Sequence, residues 1–121
     1  MNLKTVFRIG AIILLINGLG GLFATNMFME AANFTMSSSL LTIGQFMGVT
    51  FLILALIGWR TADLAKDALP AFGQLYAITQ GMWTAIICYH IAIGATGGPT
   101  AYVNVGLTAL LGVLFFFYSK K

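Results

Sequence analysis

Four stretches of the chain are almost wholly apolar: residues 6–25, 40–59, 71–93 and 101–118. An α-helix rises about 1.5 Å per residue, so about 20 such residues cross a hydrocarbon core about 30 Å thick. Polar residues gather instead in the connections 26–39, 60–69 and 94–100. The pattern predicts an all-α integral membrane four-helix bundle, up-and-down, in one domain covering residues 1–121.

The connections carry their own signals. Ser37, Ser38 and Ser39 offer N-caps for the second span, and Pro70 suits the first turn of the third. Gly94-Ala95-Thr96-Gly97-Gly98-Pro99 reads as a tight turn. The longer connection 26–39 holds Met27, Phe28, Met29, Phe34 and Met36, which suits a segment lying in the headgroup region. In the stretch 60–69, Asp63 and Lys66 are three apart and are expected to pair on a short solvated helix. Arg60, Asp63 and Asp67 offer the alternative of a docking or gating site. Trp59 and Phe115–Tyr118 fall where interfacial anchors belong.

Charge sets the orientation. Lys4 and Arg8 flank the first run, Arg60 and Lys66 lie between the second and third, and Lys120 and Lys121 follow the fourth. The other two connections contain no Lys or Arg. Cationic residues stay on the cytoplasmic side, so the N and C termini and the 60–69 connection are expected to be cytoplasmic. The localisation this implies is the plasma membrane, multi-pass, of the bacterial inner-membrane kind. The residues Leu22-Phe23-Ala24-Thr25-Asn26 make a poor signal-cleavage site, so the first run is expected to be retained.

Composition narrows the partners. Sixty per cent of residues are hydrophobic and 7% are charged, a balance suited to lipid and not to water. A net charge of +3 spread over the flanks is too thin for a nucleic-acid face and fits contact with anionic lipid. The expected partners are the lipid bilayer and either a second copy or another membrane protein. The single cysteine, Cys88, excludes a disulfide within the chain and reads as a small packed residue.

No Asp, Glu, Lys or Arg lies near the middle of any run, which removes the ionisable relay that proton-coupled transport ordinarily uses. The polar residues inside are neutral. By helical rise, Gln45, His90 and Asn104 fall about 7 to 12 Å outward of the midplane, and Asn17 about 2 Å outward. These four form a candidate polar layer, either as a clasp between helices or as the lining of a pocket. Tyr76, Trp83 and His90 share one stripe of the third helix, read as packing plus an interfacial hydrogen bond. Trp83 is expected to find an acceptor for its indole N–H inside the bundle. The sequence offers no recognisable catalytic, cofactor-binding or metal-ligating set, and an enzyme or cofactor carrier centred on His90 stays as a further reading.

Gly44 and Gly48 form a GxxxG pair, a candidate helix-packing face. Gly10, Asn17 and Gly21 share a face of the first span that suits it; dimerisation through Gly44 and Gly48 is the alternative.

Two glycine clusters, Asn17-Gly18-Leu19-Gly20-Gly21 and Gly44-Gln45-Phe46-Met47-Gly48, carry a resemblance. Over its whole length the chain resembles small four-helix bacterial inner-membrane proteins of the DoxX type. The resemblance implies a fold and a membrane, and transfers no catalytic residue. Likeness to the small multidrug exporters stops at size, since their membrane glutamate has only Asn17 in its place. The functional expectation is a non-catalytic structural or accessory membrane component acting by helix packing. The alternative is a small transporter, channel or lipid-binding protein that uses the polar layer.

Overall fold

Asn2 starts the first helix by accepting the Thr5 amide on its side chain at 3.0 Å, which satisfies one of the free donors of the first turn. The computed structural model describes residues 1–120 and runs α1 (Leu3–Phe23), α2 (Thr25–Glu30), α3 (Ser38–Leu64), α4 (Leu69–Ala92) and α5 (Gly98–Tyr118). No strand occurs among the described residues. Lys121, the last of the flanking cations, lies outside them. Ser37 caps α3, its hydroxyl accepting from the Leu40 amide at 3.1 Å. Pro70 and Pro99 sit in the first turns of α4 and α5, where a missing N–H costs nothing.

Three of these helices, Leu3–Phe23, Ser38–Leu64 and Gly98–Tyr118, are long and apolar enough to cross a membrane. At 24 residues α4 is as long, but Gln74, Thr79, Gln80 and Thr84 dilute its apolar character. The second apolar run ends at Trp59, yet α3 continues through Arg60 and Asp63 to Leu64. A 3₁₀ turn at Lys66–Ala68 then leads straight into α4. The expected short solvated helix is thus mostly an extension of α3. Lys66 sits at φ +50° and makes no ion pair with Asp63.

The helices form two close antiparallel pairs, α1 with α3 and α4 with α5, and α3 and α4 barely meet. Glycine makes the first pair tight. A Cβ on Gly48 would stand 2.6 Å from the Leu22 amide nitrogen and 2.9 Å from the Gly18 carbonyl oxygen. Backbone therefore lies on backbone, and dispersion forces, which do not depend on water, hold the contact. In the second pair the hydroxyls of Thr84 and Thr108 meet at 2.9 Å.

The two pairs are joined at the end that carries Arg8. There Phe7, Tyr76 and Phe115 form a three-ring cluster with centroids 4.6 to 5.3 Å apart, linking α1, α4 and α5. Val6, Ala62, Leu69 and Leu111 complete a core that is closed only at this end. Arg8 reaches across to Asp63 on α3 at 2.5 Å and lays its guanidinium on Trp59, 4.3 Å from the ring centre. Both partners are about one third exposed, so the pair contributes about 1 kcal/mol or less. Elsewhere apolar side chains point outward: Phe46 and Met82 are 69% and 67% exposed, as lipid-facing residues would be.

Candidate functional site

The pairs share a packed core at the Arg8 end, and toward the other end a space lies between them. The space between them is a cavity of about 490 Å³. That is within the roughly 300 to 1,000 Å³ typical of small-molecule sites. Each wall follows from a local choice of residue. On the α1–α3 side, Gly21, Gly44 and Gly48 bring the backbones together and leave bare backbone facing the space. The floor is Phe51 of α3 edge-on to Trp83 of α4, with ring centroids 5.9 Å apart. Opposite stand Ile86, Ile87 and His90 of α4 and Ala101 and Asn104 of α5.

The roof is α2 with the turn that follows it, contributing Phe28, Met29, Ala32 and Phe34. Thr25, almost fully buried, anchors α2 by donating its hydroxyl to the Gly21 carbonyl. Three hydrogen bonds then tie the roof to the α4–α5 turn. Thr96 Oγ1 and the Gly97 amide donate to the Ala32 carbonyl at 2.8 and 3.1 Å, and the Thr100 amide donates to Ala31 at 3.4 Å. The tie depends on Gly98: it sits at φ +73°, and a Cβ there would come within 2.4 Å of the Ala31 carbonyl.

Of the four polar-layer residues, Asn17, His90 and Asn104 line this cavity. Asn17 and Asn104 also line two smaller spaces, one of about 100 Å³ beneath it and one of about 290 Å³ on the α1–α5 side. Gln45 stands apart. It is exposed beside Leu41 and the α1–α2 junction, in a separate shallow groove. No side-chain hydrogen bond joins any of the four to another described residue. None of the three half-buried ones is sealed off, so their polar atoms are reachable from the spaces they line. The Trp83 indole N–H likewise has no acceptor among the described residues, where one inside the bundle was expected. Away from the Arg8–Asp63 pair at the closed end, the side-chain hydrogen bond that does form between helices is Thr84 with Thr108, which sequence depth did not single out.

The chemistry on offer is narrow. No Asp, Glu, Lys or Arg lines the cavity, and among the described residues no three His, Cys, Asp or Glu side chains come together. The site can donate and accept hydrogen bonds from two amides and an imidazole, against aromatic and aliphatic walls. Gly48 serves the contact with α1, against Leu22 and Gly18, and Gly44 the contact with Thr25 and Met29 of α2; both also line the cavity. Cys88 is exposed on the far side of α4. Comparison of the chain with protein-family models, with curated proteins and with solved structures finds no match.

Proposed function

We propose that this is a four-span protein of the bacterial inner membrane, termini cytoplasmic, that holds a small lipid-soluble molecule in its outer half. The observation that carries the reading is the convergence of Asn17, His90 and Asn104 on one cavity instead of on each other. Polar groups in hydrocarbon ordinarily find partners across a helix interface. Here three of them are left free around a space large enough for a ligand.

The fourth span is supported by pairing. α4 runs antiparallel to α5 along its length and presents Leu75, Ile78 and Met82, each more than half exposed, to the surroundings. Its Thr84 is spent on α5. Orientation is supported by charge: Arg8, Arg60 and Lys66 gather at the closed end, and Lys120 lies over Phe116 and Phe117 there. The cavity then opens in the outer leaflet. A purely structural role by packing on a copy or a partner has less to rest on, since Gly44 and Gly48 are occupied within the chain.

Purification from native membranes followed by native mass spectrometry tests this reading. The wild-type protein should retain a small molecule of defined mass, and Ile87→Trp, which fills the cavity, should lose it while staying folded. A wild-type protein carrying only the exchangeable lipid mixture of the membrane would overturn the proposal.

A further inference from the structure

We infer that the cavity takes a neutral single-chain amphiphile, of the monoacylglycerol kind, and that this enters sideways from the bilayer between α3 and α4. The inference rests on the proposed binding function and adds the ligand class and its route.

The class follows from the walls. A chain of methylenes fits surfaces made by Phe51, Trp83, Ile87 and Met47, and a hydroxyl or ester carbonyl can reach Asn17, Asn104 or His90. An ionised headgroup would leave water for a space with no opposite charge. Burying an unpaired charge is costly, whereas a neutral hydroxyl or carbonyl exchanges its water for an amide at little net cost. The site therefore selects against charge by desolvation, with no repulsive residue needed.

The route follows from which sides are shut. The roof is closed by the Ala31 and Ala32 hydrogen bonds to Thr96, Gly97 and Thr100. The α1–α3 side is closed by glycine backbone contact, and the α4–α5 side by close packing with the Thr84–Thr108 contact. Toward the α1–α5 gap stands Phe28, whose ring is seated on Gly20. Between α3 and α4 the helices barely meet above Phe51 and Trp83. The residues on that mouth, Met47 and Ile86, are both exposed, so the opening faces hydrocarbon.

Trp83 reports on occupancy. Trp59→Phe makes it the sole tryptophan, and Trp59 lies at the opposite end of the molecule. This protein is reconstituted in phosphatidylcholine vesicles and titrated with dibrominated monostearoylglycerol or with the permanently anionic dibrominated stearyl sulfate. The neutral probe should quench Trp83 saturably and be displaced by unbrominated monoacylglycerol, while the sulfate should quench only in proportion to its share of the bilayer. Asn104→Leu and Asn17→Leu should each weaken the saturable phase about tenfold with thermal unfolding little changed. In a Cys88→Ser background, Met47→Cys and Ile86→Cys joined by a reducible bifunctional reagent should block exchange of the neutral probe until the linker is reduced. Equal saturation by the sulfate, or no effect of either asparagine, would overturn the ligand class, and unhindered exchange in the linked protein would overturn the route. Saturation by neither probe, together with no retained ligand in the native protein, would instead remove the binding function itself.

Discussion

Two glycines with the same local geometry have opposite surroundings, and they calibrate how the bundle is held. Gly48 meets backbone on the facing helix, whereas Gly81 has nothing within 4 Å of where its Cβ would be. Gly48→Leu should force α1 and α3 apart and cost about 1 to 3 kcal/mol or more, as overpacking of a close contact does. Gly81→Ala should be neutral or stabilise by up to about 1 kcal/mol, because it only removes the freedom of a mid-helix glycine. Thermal unfolding in one detergent checks both. Equal shifts for the two variants would mean that the α1–α3 contact is not what holds the chain. At this same scale the sequence was readable along each helix but not around it. Helical rise placed Gln45 at the depth of His90 and Asn104, yet Gln45 is one residue from Gly44, hence about 100° around the helix from it. With Gly44 turned to Thr25 and Met29 of α2, Gln45 faces away from the cavity.

Between elements, the contacts that matter are long in sequence. Asp63 has a neighbour three residues on in Lys66, which is why that pair was expected, but its partner across the bundle is Arg8, 55 residues earlier. A rule based on spacing within one helix sees only the first of these. The capped start of α3 at Ser37 and the proline-led start of α4 were legible, since the signals lie within one turn of the element they begin. The roof was not, because it joins residues 31 and 32 to 96–100 through backbone groups and the one hydroxyl of Thr96, which no side-chain pattern announces. Its tie can be cut at two strengths. Thr96→Val removes one hydrogen bond and should cost about 1 kcal/mol. Gly98→Ala should cost more, because it strains a positive φ and drives a methyl into the Ala31 carbonyl. Amide exchange at residues 96–100 should quicken in that order, and unchanged protection in Gly98→Ala would contradict the tie.

For the whole molecule, a core closed at one end and a cavity at the other give the helical assembly a polarity that matches its charge. Four apolar runs and six flanking cations were enough to set out the helices and the orientation now proposed. That proposal has a direct check. In a Cys88→Ser background, a cysteine replacing Thr35 should react with an impermeant thiol reagent on intact cells, and one replacing Asp67 should react only after lysis. The reverse pattern would put the cavity in the inner leaflet.

The central claim is that Asn17, His90 and Asn104 surround a space and do not clasp one another. A double-mutant cycle on Asn17 and Asn104 tests it most directly, read as thermal unfolding of Asn17→Leu, Asn104→Leu and the pair. If the amides face a cavity, each single change should shift stability by less than about 0.5 kcal/mol, and the double should equal their sum. If they are bonded across the helix interface, each single change should cost about 1 kcal/mol or more by stranding its partner, and the double should cost less than the sum. Small, additive shifts are the result the structure predicts; large, non-additive ones would contradict it.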